Sequence, residues 1–591
     1  MTFLVIFCVG SVVAWAVPEA LILPYAVDQV YADRAREAIW MAGPVATPLA
    51  RTLFTQLASA GSDGLDPAAY HLAELTRLLS RDPPSTLSPG ADLESPGQAE
   101  LLFTDAFLAL GRDLALGRID PHTLWEKWLP EDDRPDPLPH LQRTLVNLPP
   151  ASVENHTGAE AVVVSALAAC RPDQPGYRKL RDAMNSLVAV ARNGGWPPVD
   201  PGELLRPGDR SERVRQLRAR LAISGDLIPL PLAAAPWCVN GDPDRFDAFL
   251  ACAVRSFQKR HGLRVDGVVG PKTLVALNVP AAQRAVQAAL NLERRRWLPR
   301  DSEQRRILVN IPDFSLSLYP GDGTPPLTMR AIVGRKDRPT PVLSGEMKWL
   351  VLNPRWTVPQ KLAREDLLPK VAAEPGYLIE RGFRIFHDWR PGAEEVDPAL
   401  IDWTSVTPKD MTFKFQQLPG PRNPLGRVKF LFPNPFSVYI HDTNHRALFN
   451  LPRRCFSSGC VRIEKPEALL TALIAGGKTG RDSTALAALT GGVTESWGLD
   501  EPVPVHFVYL TAWVDGKGVL QFRDDCYGYD TTLAVNVACA PLAPAPSWMP
   551  TGQPLPLAVA SNATVPTGSW NNGNHQERTG PVSRWTKPDA E

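Results

Sequence analysis

The hydrophobic pattern of the chain changes period near residue 300, and this change constrains the fold more than any other feature. Before it, apolar residues recur at helical spacing, as in Phe103, Phe107 and Leu110. After it, the apolar runs are short, rich in β-branched residues and separated by Pro, Gly and Asp. These runs are ILVNI (307–311), FSLSLY (314–319), TMRAIV (328–333) and MKWLVL (347–352). A chain with both patterns in separate stretches is expected to have a multidomain α+β fold.

The length of the chain requires several domains. At 591 residues it exceeds what one hydrophobic core serves, and 44% hydrophobic residues is a globular composition. We expect three ordered domains: a helical scaffold at 28–195, a small three-helix domain at 203–280 and a mainly-β domain at 305–535. Residues 540–591 are rich in Pro, Ser, Gly and Asn, and we expect this tail to be disordered.

Charge balance and cysteine spacing argue against two classes of partner. Lys and Arg together number 63, as do Asp and Glu, so the chain has no net positive field for a polyanion. The eight cysteines include no C-x-x-C pair and no His/Cys spacing suited to zinc. We therefore expect no nucleic acid partner, no metal and no other cofactor.

The N-terminus has the character of an export segment. Residues 1–16, MTFLVIFCVGSVVAWA, are apolar and uncharged and end in small residues of the kind that a signal peptidase recognises. The run is shorter than the ~20 residues of a spanning helix and lacks a positive stretch, so a cleaved signal peptide and an uncleaved anchor both stay open. Loss of Cys8 would leave an odd number of cysteines and at least one free thiol, for which Cys460 is the candidate. Cys238 and Cys252 lie in the small domain and pair only if their geometry permits.

An insertion interrupts the mainly-β domain. Between about 355 and 435 the β pattern lapses into a stretch rich in Pro, Trp and charged residues. Strands are expected to resume at FSVYI (436–440), GCVRI (459–463), PVHFVYL (504–510) and VLQF (519–522). Insertions of this length in compact domains are usually binding loops or lids, so we expect a mobile lid.

Two segments downstream of the insertion carry the residues of nucleophilic catalysis. They are YIHDT at 439–443 and SSGCVR at 457–462. A free cysteine with a pKa near 8.5 is mostly protonated at neutral pH, so Cys460 as nucleophile needs an imidazole, here His441, to take its proton. Gly459 allows a close backbone turn, and neighbouring backbone N–H groups are expected to stabilise a tetrahedral oxyanion.

These residues resemble the signature of the YkuD-type L,D-transpeptidase catalytic domain, in which a histidine precedes [S/T]-H-G-C-[V/I]-[R/N]. The segments FQKRHGL (257–263) and DGVVGPKT (266–273) are similar to a small peptidoglycan-binding domain. With NPRWTVP (353–359) and RDDCYGYD (523–530), they resemble the large periplasmic YcbB-like subgroup over about residues 60–530. The fold implied is a helical scaffold, a three-helix peptidoglycan-binding domain and a mainly-β YkuD-type domain with an inserted lid.

The resemblance also implies roles for individual residues. Cys460 would be acylated by the third residue of a tetrapeptide stem, His441 would be the base, and the backbone carbonyl of Asp442 would orient the imidazole. Gly459 and Ser458 would complete the catalytic loop. Ser458 stands where most members have histidine, and this departure affects the oxyanion site.

Four further residues are candidates for substrate binding. Arg462 either binds a substrate carboxylate through its bidentate fork or pairs with Glu464. Tyr439 and Trp356 either shape the substrate groove or belong to the core at strand ends. Ser457, at the start of the motif, is expected near the substrate.

The implied activity is a peptidoglycan L,D-transpeptidase that forms 3-3 cross-links between stem peptides in the periplasm and is acylated by carbapenems. Two alternatives stay open: an L,D-carboxypeptidase or amidase using the same cysteine, and a non-catalytic wall-binding protein. The three-helix domain either binds peptidoglycan or is a spacer that has kept the fold. We expect a monomer whose partner is the tetrapeptide donor stem.

Overall fold

The computed structural model describes residues 21–79, 94–125, 128–129, 134–153, 156, 158–227, 242–299, 304–374, 376–475 and 484–539. Over these residues the expected multidomain α+β fold is confirmed. The chain divides into two compact units. Within the described residues, the first unit runs to Trp356 and resumes at Pro419, and the second is Thr357–Leu418.

The first region of the chain is helical. Its helices are α1 (Pro24–Asp33), α2 (Pro48–Ala58), α3 (Leu72–Leu79), α4 (Glu94–Leu116), α5 (Leu138–Val146), α6 (Ala159–Cys170) and α7 (Pro175–Arg192). Two short strands, β1 (Met41–Ala42) and β2 (Val45–Ala46), form a hairpin. A third, β3 (Trp128–Leu129), joins the sheet of the mainly-β domain. Helix α4 carries the spacing noted in the sequence, and its Phe103 and Phe107 are fully buried. The helices therefore share one core through their apolar faces.

Three helices form the small domain that follows. They are α8 (Glu212–Ile223), α9 (Ala248–Arg260) and α10 (Pro271–Asn278). Pro271 occupies the first turn of α10, where a missing N–H has no cost. Leu217, Leu250 and Phe257 are fully buried in a core separate from that of the scaffold helices.

Helix α11 (Ala281–Arg296) occupies the stretch that the expected boundaries leave between two domains. One of its faces packs on Tyr177 and Leu180 of α7. Another exchanges two hydrogen bonds with the mainly-β domain: Asn291 Nδ2 donates to Thr511 Oγ1 at 2.8 Å, and the Thr511 N–H donates to Asn291 Oδ1 at 2.9 Å. Helix α11 therefore joins the scaffold to the mainly-β domain.

The mainly-β domain is built on one ten-stranded sheet. Its strands include β4 (Arg306–Asn310), β5 (Ser315–Tyr319), β6 (Leu327–Gly334), β7 (Val342–Leu352), β12 (Val428–Leu431), β13 (Ile440–His441), β14 (Cys455–Ser457), β15 (Val461–Ile463) and β16 (Glu495–Val508). Strand β12 pairs with both β13 and β7, so the path β12-β13-β15-β6-β5-β4-β16-β7 closes on itself. Leu350, Phe430 and Phe507 are buried in its core. A separate hairpin is formed by β17 (Ala512–Val514) and β18 (Leu520–Phe522).

Three helices accompany these strands: α15 (Pro466–Ile474), α16 (Ala485–Gly491) and α17 (Tyr529–Cys539). Leu469, Leu489 and Leu533 extend from them into the same core. Helix α15 follows β15 directly, as the sequence predicts.

The second unit, Thr357–Leu418, has its own small core. It contains the short helices α12 (Gln360–Leu362), α13 (Leu368–Ala373) and α14 (Tyr377–Glu380) and the strands β9 (Phe383–Phe386), β10 (Glu395–Val396) and β11 (Lys414–Gln417), with β8 (Trp356–Thr357) at its start. Strand β9 lies between β10 and β11 and is antiparallel to both. In the interior of this second unit Trp403 and Phe415 pack together, with ring centroids 5.9 Å apart.

Two expectations for this part of the chain are wrong. The insertion does not extend to 435, because Val428–Leu431 alternates buried and half-buried residues and pairs within the main sheet. The segment 436–440 is a strand only at Ile440, because the Asn434 side chain holds the preceding residues in a loop. Asn434 Oδ1 accepts from the N–H groups of Phe436 and Val438, and its Nδ2 donates to the Val438 carbonyl.

Several expectations lie outside the described residues. They are the export segment at 1–16, the tail at 540–591 and Cys238 as a partner for Cys252. Among the helices that the structure describes, none is both long enough and apolar enough to span a membrane.

Candidate active site

Parallel pairing of two short strands brings the two halves of the sequence motif together. Strands β13 and β15 pair with Ile440 opposite Val461 and His441 opposite Arg462. Ile440 and Val461 are fully buried in the sheet core. Because side chains alternate along a strand, His441 and Arg462 lie on the opposite face, together with Tyr439 and Cys460 directly before each strand.

The imidazole of His441 is held in one tautomer. His441 is buried, and its Nδ1 lies 2.5 Å from the backbone carbonyl oxygen of Asp442. A carbonyl oxygen only accepts hydrogen bonds, so Nδ1 carries the hydrogen and Nε2 keeps its lone pair. Burial, with the nearby charges of Arg462 and Lys429, lowers the pKa of His441 to about 3. The imidazole is therefore a neutral base near pH 7.

The thiol of Cys460 lies in a polar but desolvated setting. Burial raises the pKa of the Cys460 thiol, and hydrogen bonds from Tyr439 together with the charges of Lys429 and Arg462 oppose this rise. The Tyr439 and His441 rings lie 5.6 Å apart, so the hydroxyl that reaches the thiol belongs to the side chain next to the imidazole. In the resting site the thiol is thus protonated and faces groups that favour its anion.

Lys429 enters this site from the third strand. In the register of β12 and β13, Lys429 lies opposite His441. Its Nζ lies 3.8 Å from the centre of the Tyr439 ring, a cation–π distance. Burial lowers the pKa of Lys429, and the neighbouring Cys460 raises it. One face of the sheet therefore carries Lys429, His441 and Arg462 in a row across three strands.

The loop before Cys460 is held by its own hydrogen bonds. Gly459 adopts φ +120°, a conformation that other residues rarely adopt. The Ser457 hydroxyl accepts from the Gly459 N–H at 3.2 Å and donates to the Cys460 carbonyl at 2.5 Å. The Gly459 carbonyl accepts from Thr340 Oγ1 at 2.8 Å. Ser457 is buried, and both of these hydrogen bonds stay within the loop. Its side chain therefore supports the loop, whereas the sequence had led us to expect a contact with the substrate.

The remaining candidates occupy different surroundings. The Asp442 carboxylate is buried and accepts from the Arg427 N–H, while Arg446 donates to its other oxygen at 2.8 Å. Burial raises the pKa of Asp442, and these hydrogen bonds oppose the rise. Ser458 is half-buried, and its Oγ accepts from Arg338 Nη1 at 3.2 Å. Asp442 therefore bonds the imidazole through its backbone carbonyl, while its carboxylate bonds Arg427 and Arg446.

Arg462 and Trp356 complete the candidate set. Arg462 is buried beside Cys460 and His441, whereas Glu464 pairs with Arg330. Both roles expected for Arg462 therefore stay predictions. Trp356 is half-buried at the end of the first unit, and its contribution to substrate binding stays a prediction.

Sequence reasoning missed Lys429 and the residues that brace the loop. A signal for Lys429 existed, because Val428, Phe430 and Phe432 alternate as in a strand with Lys429 on the other face. Tyr527 lies in the RDDCYGYD segment, for which no role had been inferred. Its hydroxyl donates to the Gly334 carbonyl at 2.7 Å and accepts from the Thr340 N–H at 3.2 Å.

The arrangement combines a thiol, a neutral imidazole base and two cations on one sheet face. An imidazole with a free Nε2 accepts a proton from a thiol, and the cations stabilise the anion that results. Acyl transfer through a thioester needs only these groups and a substrate carbonyl.

Three family models match consecutive parts of the chain. The model described as "Scaffold domain" matches residues 25–184, and the "Putative peptidoglycan binding domain" matches 210–277. The "L,D-transpeptidase catalytic domain" matches residues 304–479, which include Cys460 and His441. The family resemblance inferred from the motifs is confirmed.

Two curated proteins are similar to parts of the chain. A Haemophilus influenzae protein named "Putative L,D-transpeptidase" is 38% identical over 247 residues, which cover 42% of this chain and 48% of that protein. The chain thus spans about half of this relative. A Mycobacterium tuberculosis protein named N-acetylmuramoyl-L-alanine amidase CwlM is 41% identical over 81 residues, 14% of this chain and 20% of that protein. The chain therefore matches, in order, a scaffold domain, a peptidoglycan-binding domain and a YkuD-type L,D-transpeptidase catalytic domain.

Proposed function

We propose that this protein is a peptidoglycan L,D-transpeptidase that forms 3-3 cross-links between stem peptides through a Cys460 acyl-enzyme. The observation that carries the proposal is the pairing of β13 with β15, which puts His441 and Cys460 on one face of the sheet. The hydrogen bond from His441 Nδ1 to the Asp442 carbonyl leaves Nε2 as the base.

In the first half-reaction, His441 Nε2 takes the proton of the Cys460 thiol as sulfur attacks the carbonyl carbon of the third residue of the donor stem. The tetrahedral intermediate collapses to a thioester, and the imidazolium gives its proton to the departing amine of the terminal D-residue. In the second half-reaction, the side-chain amine of an acceptor stem attacks the thioester. His441 removes the proton of this amine and returns one to sulfur, so that the enzyme is regenerated.

The other residues support these steps. Ser457, Gly459 and Ser458 shape the loop that presents the thiol, and Ser457 acts through its bonds within the loop. Arg462 suits a carboxylate of the donor stem, because a guanidinium binds carboxylates through a planar fork. Tyr439 bonds the thiol, and Trp356 is proposed as a wall of the substrate groove.

The proposed substrate also suggests where the protein acts and which molecule it binds. A peptidoglycan-binding domain beside the catalytic domain suits action on the assembled wall, and we propose a periplasmic location with the tetrapeptide donor stem as partner. We further propose that the protein works as a monomer without a cofactor, because acyl transfer through a cysteine needs no metal or nucleotide.

The test is the product formed from disaccharide tetrapeptides by the purified protein. Wild-type protein is expected to yield dimers with 3-3 links, detected by mass spectrometry. Cys460→Ala is expected to abolish them without a change in thermal unfolding, whereas Cys455→Ala, five residues earlier, is expected to retain cross-linking. Equal loss in both variants, with equal loss of stability, would show that the motif serves packing.

The same assay separates transfer from hydrolysis. Trimmed monomers in place of dimers would identify a carboxypeptidase that uses the same nucleophile. Absence of both products, with no covalent carbapenem adduct on Cys460, would identify a non-catalytic wall-binding protein.

A further inference from the structure

We infer that Lys429 is a thiolate-stabilising residue, which lowers the cost of forming the Cys460 anion during acylation. The inference deepens the proposed function, because it assigns a role in activating the same nucleophile. It rests on the position of Lys429 in the sheet and on its contact with Tyr439.

Register and distance place the ammonium group beside His441 and over the ring of Tyr439. Lys429 lies opposite His441, and its Nζ stacks 3.8 Å above the ring of Tyr439. The Tyr439 hydroxyl hydrogen-bonds the thiol, so the cation polarises the group that contacts sulfur. Among the described residues, the charged or titratable groups on the face of the sheet that carries Cys460 are Lys429 from β12, His441 from β13, Arg462 from β15 and Tyr439, which directly precedes β13.

Electrostatics set the direction of the effect. A cysteine buried without charge partners is a poor nucleophile, because burial disfavours the thiolate. Cations beside the thiol oppose this penalty, and they do so more strongly where water is excluded. His441 is neutral near pH 7, so Lys429 and Arg462 supply the positive charge at rest.

The experiment is alkylation of Cys460 by iodoacetamide as a function of pH, read from the mass of the Cys460 peptide in a Cys455→Ala background, because trypsin leaves Cys455 and Cys460 in one peptide. Lys429→Met is expected to slow alkylation at pH 7 about tenfold, the effect of one pKa unit, and to shift the midpoint upward. Lys429→Arg is expected to restore the rate to within about threefold, because it restores the charge. Lys348→Met, which removes a lysine paired with Glu346 on the surface of β7, is the matched control and should leave the profile unchanged.

An alkylation profile of Lys429→Met that matches wild type would overturn the inference. If Lys429→Met does not fold by circular dichroism, Lys429→Gln and Lys429→Arg measured in the same way decide the question. The readout is independent of cross-linking. Failure of the transpeptidase proposal would appear as missing dimers with an intact pH effect.

A second inference comes from two thiols outside the catalytic group. We propose that Cys455 and Cys526 form a disulfide that ties the strand before the nucleophile loop to the segment before α17. Both are free thiols in the structure, and a hydrogen bond joins their side chains. Cys526 is buried and also accepts from the Tyr509 hydroxyl at 3.6 Å.

Contacts from both segments meet at one point of β6. Cys455 pairs with Val333, and Ser457 pairs with Gly334. Tyr527, which follows Cys526, donates its hydroxyl to the Gly334 carbonyl at 2.7 Å. The segments that carry the two thiols are therefore both bonded to β6 near Gly334.

The chemistry favours Cys455 as the first thiol to react. The hydrogen bond with Cys526, assisted by Arg453, lowers the pKa of Cys455 to about 7, and the same pairing raises that of Cys526. The Cys455 thiolate attacks a sulfur of an oxidant that carries a disulfide, such as a thiol–disulfide oxidoreductase, and expels one thiolate. Cys526 then loses its proton to water and attacks the Cys455 sulfur, which releases the second thiolate. Two electrons pass to the oxidant, whose two thiolates take up the two protons.

The test uses full-length Cys460→Ala protein treated with oxidised glutathione, because trypsin would otherwise leave Cys455 and Cys460 in one peptide. Digestion without reductant is expected to give a cross-linked peptide pair containing Cys455 and Cys526. Reductant is expected to lower the Tm of the oxidised Cys460→Ala protein. It should not lower the Tm of the double variant Cys460→Ala, Cys455→Ala treated in the same way. Adding Cys252→Ala, an exposed cysteine of the small domain, is the control and should keep the response. Complete alkylation of both Cys455 and Cys526 after oxidation would overturn the proposal.

Discussion

The imidazole of His441 is neutral because its surroundings disfavour a cation. Burial is the largest cause, and Arg462 and Lys429 add to it, so the pKa of His441 falls to about 3. Burial also raises the pKa of Cys460. The resting pair is therefore a thiol and a neutral imidazole, and in the proposed mechanism the proton moves during the attack on the substrate.

This state predicts the pH dependence of acylation. A base with a lowered pKa stays unprotonated as the pH falls, until the pH approaches the lowered value. Acylation of Cys460 by a carbapenem should therefore show no loss centred near pH 6.5 when the pH is taken from 8 to 5. His441→Gln should slow acylation by about 10²–10⁴-fold throughout. The measurement is the rate of adduct formation by intact-protein mass, and a tenfold loss between pH 7 and 5 would contradict a neutral imidazole.

The conformation of Gly459 predicts a second effect of a single residue. At φ +120° an alanine is strained, although the nearest atoms to its Cβ would lie 3.8 Å away. Gly459→Ala should therefore lower the free energy of unfolding by about 1–3 kcal/mol and slow acylation. Gly516→Ala, at an open position with ordinary φ, is the control and should change stability by less than about 0.5 kcal/mol. Equal urea unfolding curves for the two variants would contradict the prediction.

At the scale of elements, local sequence patterns predicted the helices whose formation depends on neighbouring residues. The apolar spacing of α4 and the Gly270-Pro271 start of α10 both follow from nearest-neighbour geometry. The motif around Cys460 also identified the proposed nucleophile and its proposed base. These predictions needed no knowledge of which strands pair.

Pairing between distant strands could not be predicted in this way. The site depends on β12, β13 and β15 lying side by side, and no local pattern specifies their register. Lys429 was therefore assigned to the insertion, and Ser457 to the substrate. The loop at 436–439 was assigned to a strand because its apolar residues alternate, whereas the Asn434 side chain provides hydrogen bonds that compete with a ladder.

Helix α11 provides a test at this scale. Asn291 is fully buried and exchanges two hydrogen bonds with Thr511. Asn291→Ala leaves buried polar groups of Thr511 without these partners, so the free energy of unfolding should fall by about 1–3 kcal/mol. Gln283→Ala, at a half-buried position of the same helix, is the control and should have a smaller effect. Urea unfolding followed by near-UV circular dichroism measures both, and equal changes would show that the contact contributes little.

At the scale of the whole molecule, the described part of the first unit contains four hydrophobic cores with polar contacts between them. Arg523 of the mainly-β domain donates to the Arg260 carbonyl at 2.9 Å, and Phe522 stacks on His261 at 5.4 Å. The three-helix domain therefore contacts the catalytic domain through Phe522 and Arg523, which lie outside β12, β13 and β15. Wall binding and acyl transfer are expected to depend on separate surfaces.

Deletion of residues 203–280 tests this separation. The variant should bind insoluble sacculi less than wild type, because the three-helix domain has its own core and matches a peptidoglycan-binding model. Acylation of Cys460 by a soluble carbapenem should continue, since Lys429, His441 and Arg462 lie outside the deleted residues. Loss of the contacts to Phe522 and Arg523 should lower the Tm, so both assays are run well below it. Co-sedimentation and adduct mass give the two readouts, and unchanged sacculus binding would show that the three-helix domain is a spacer.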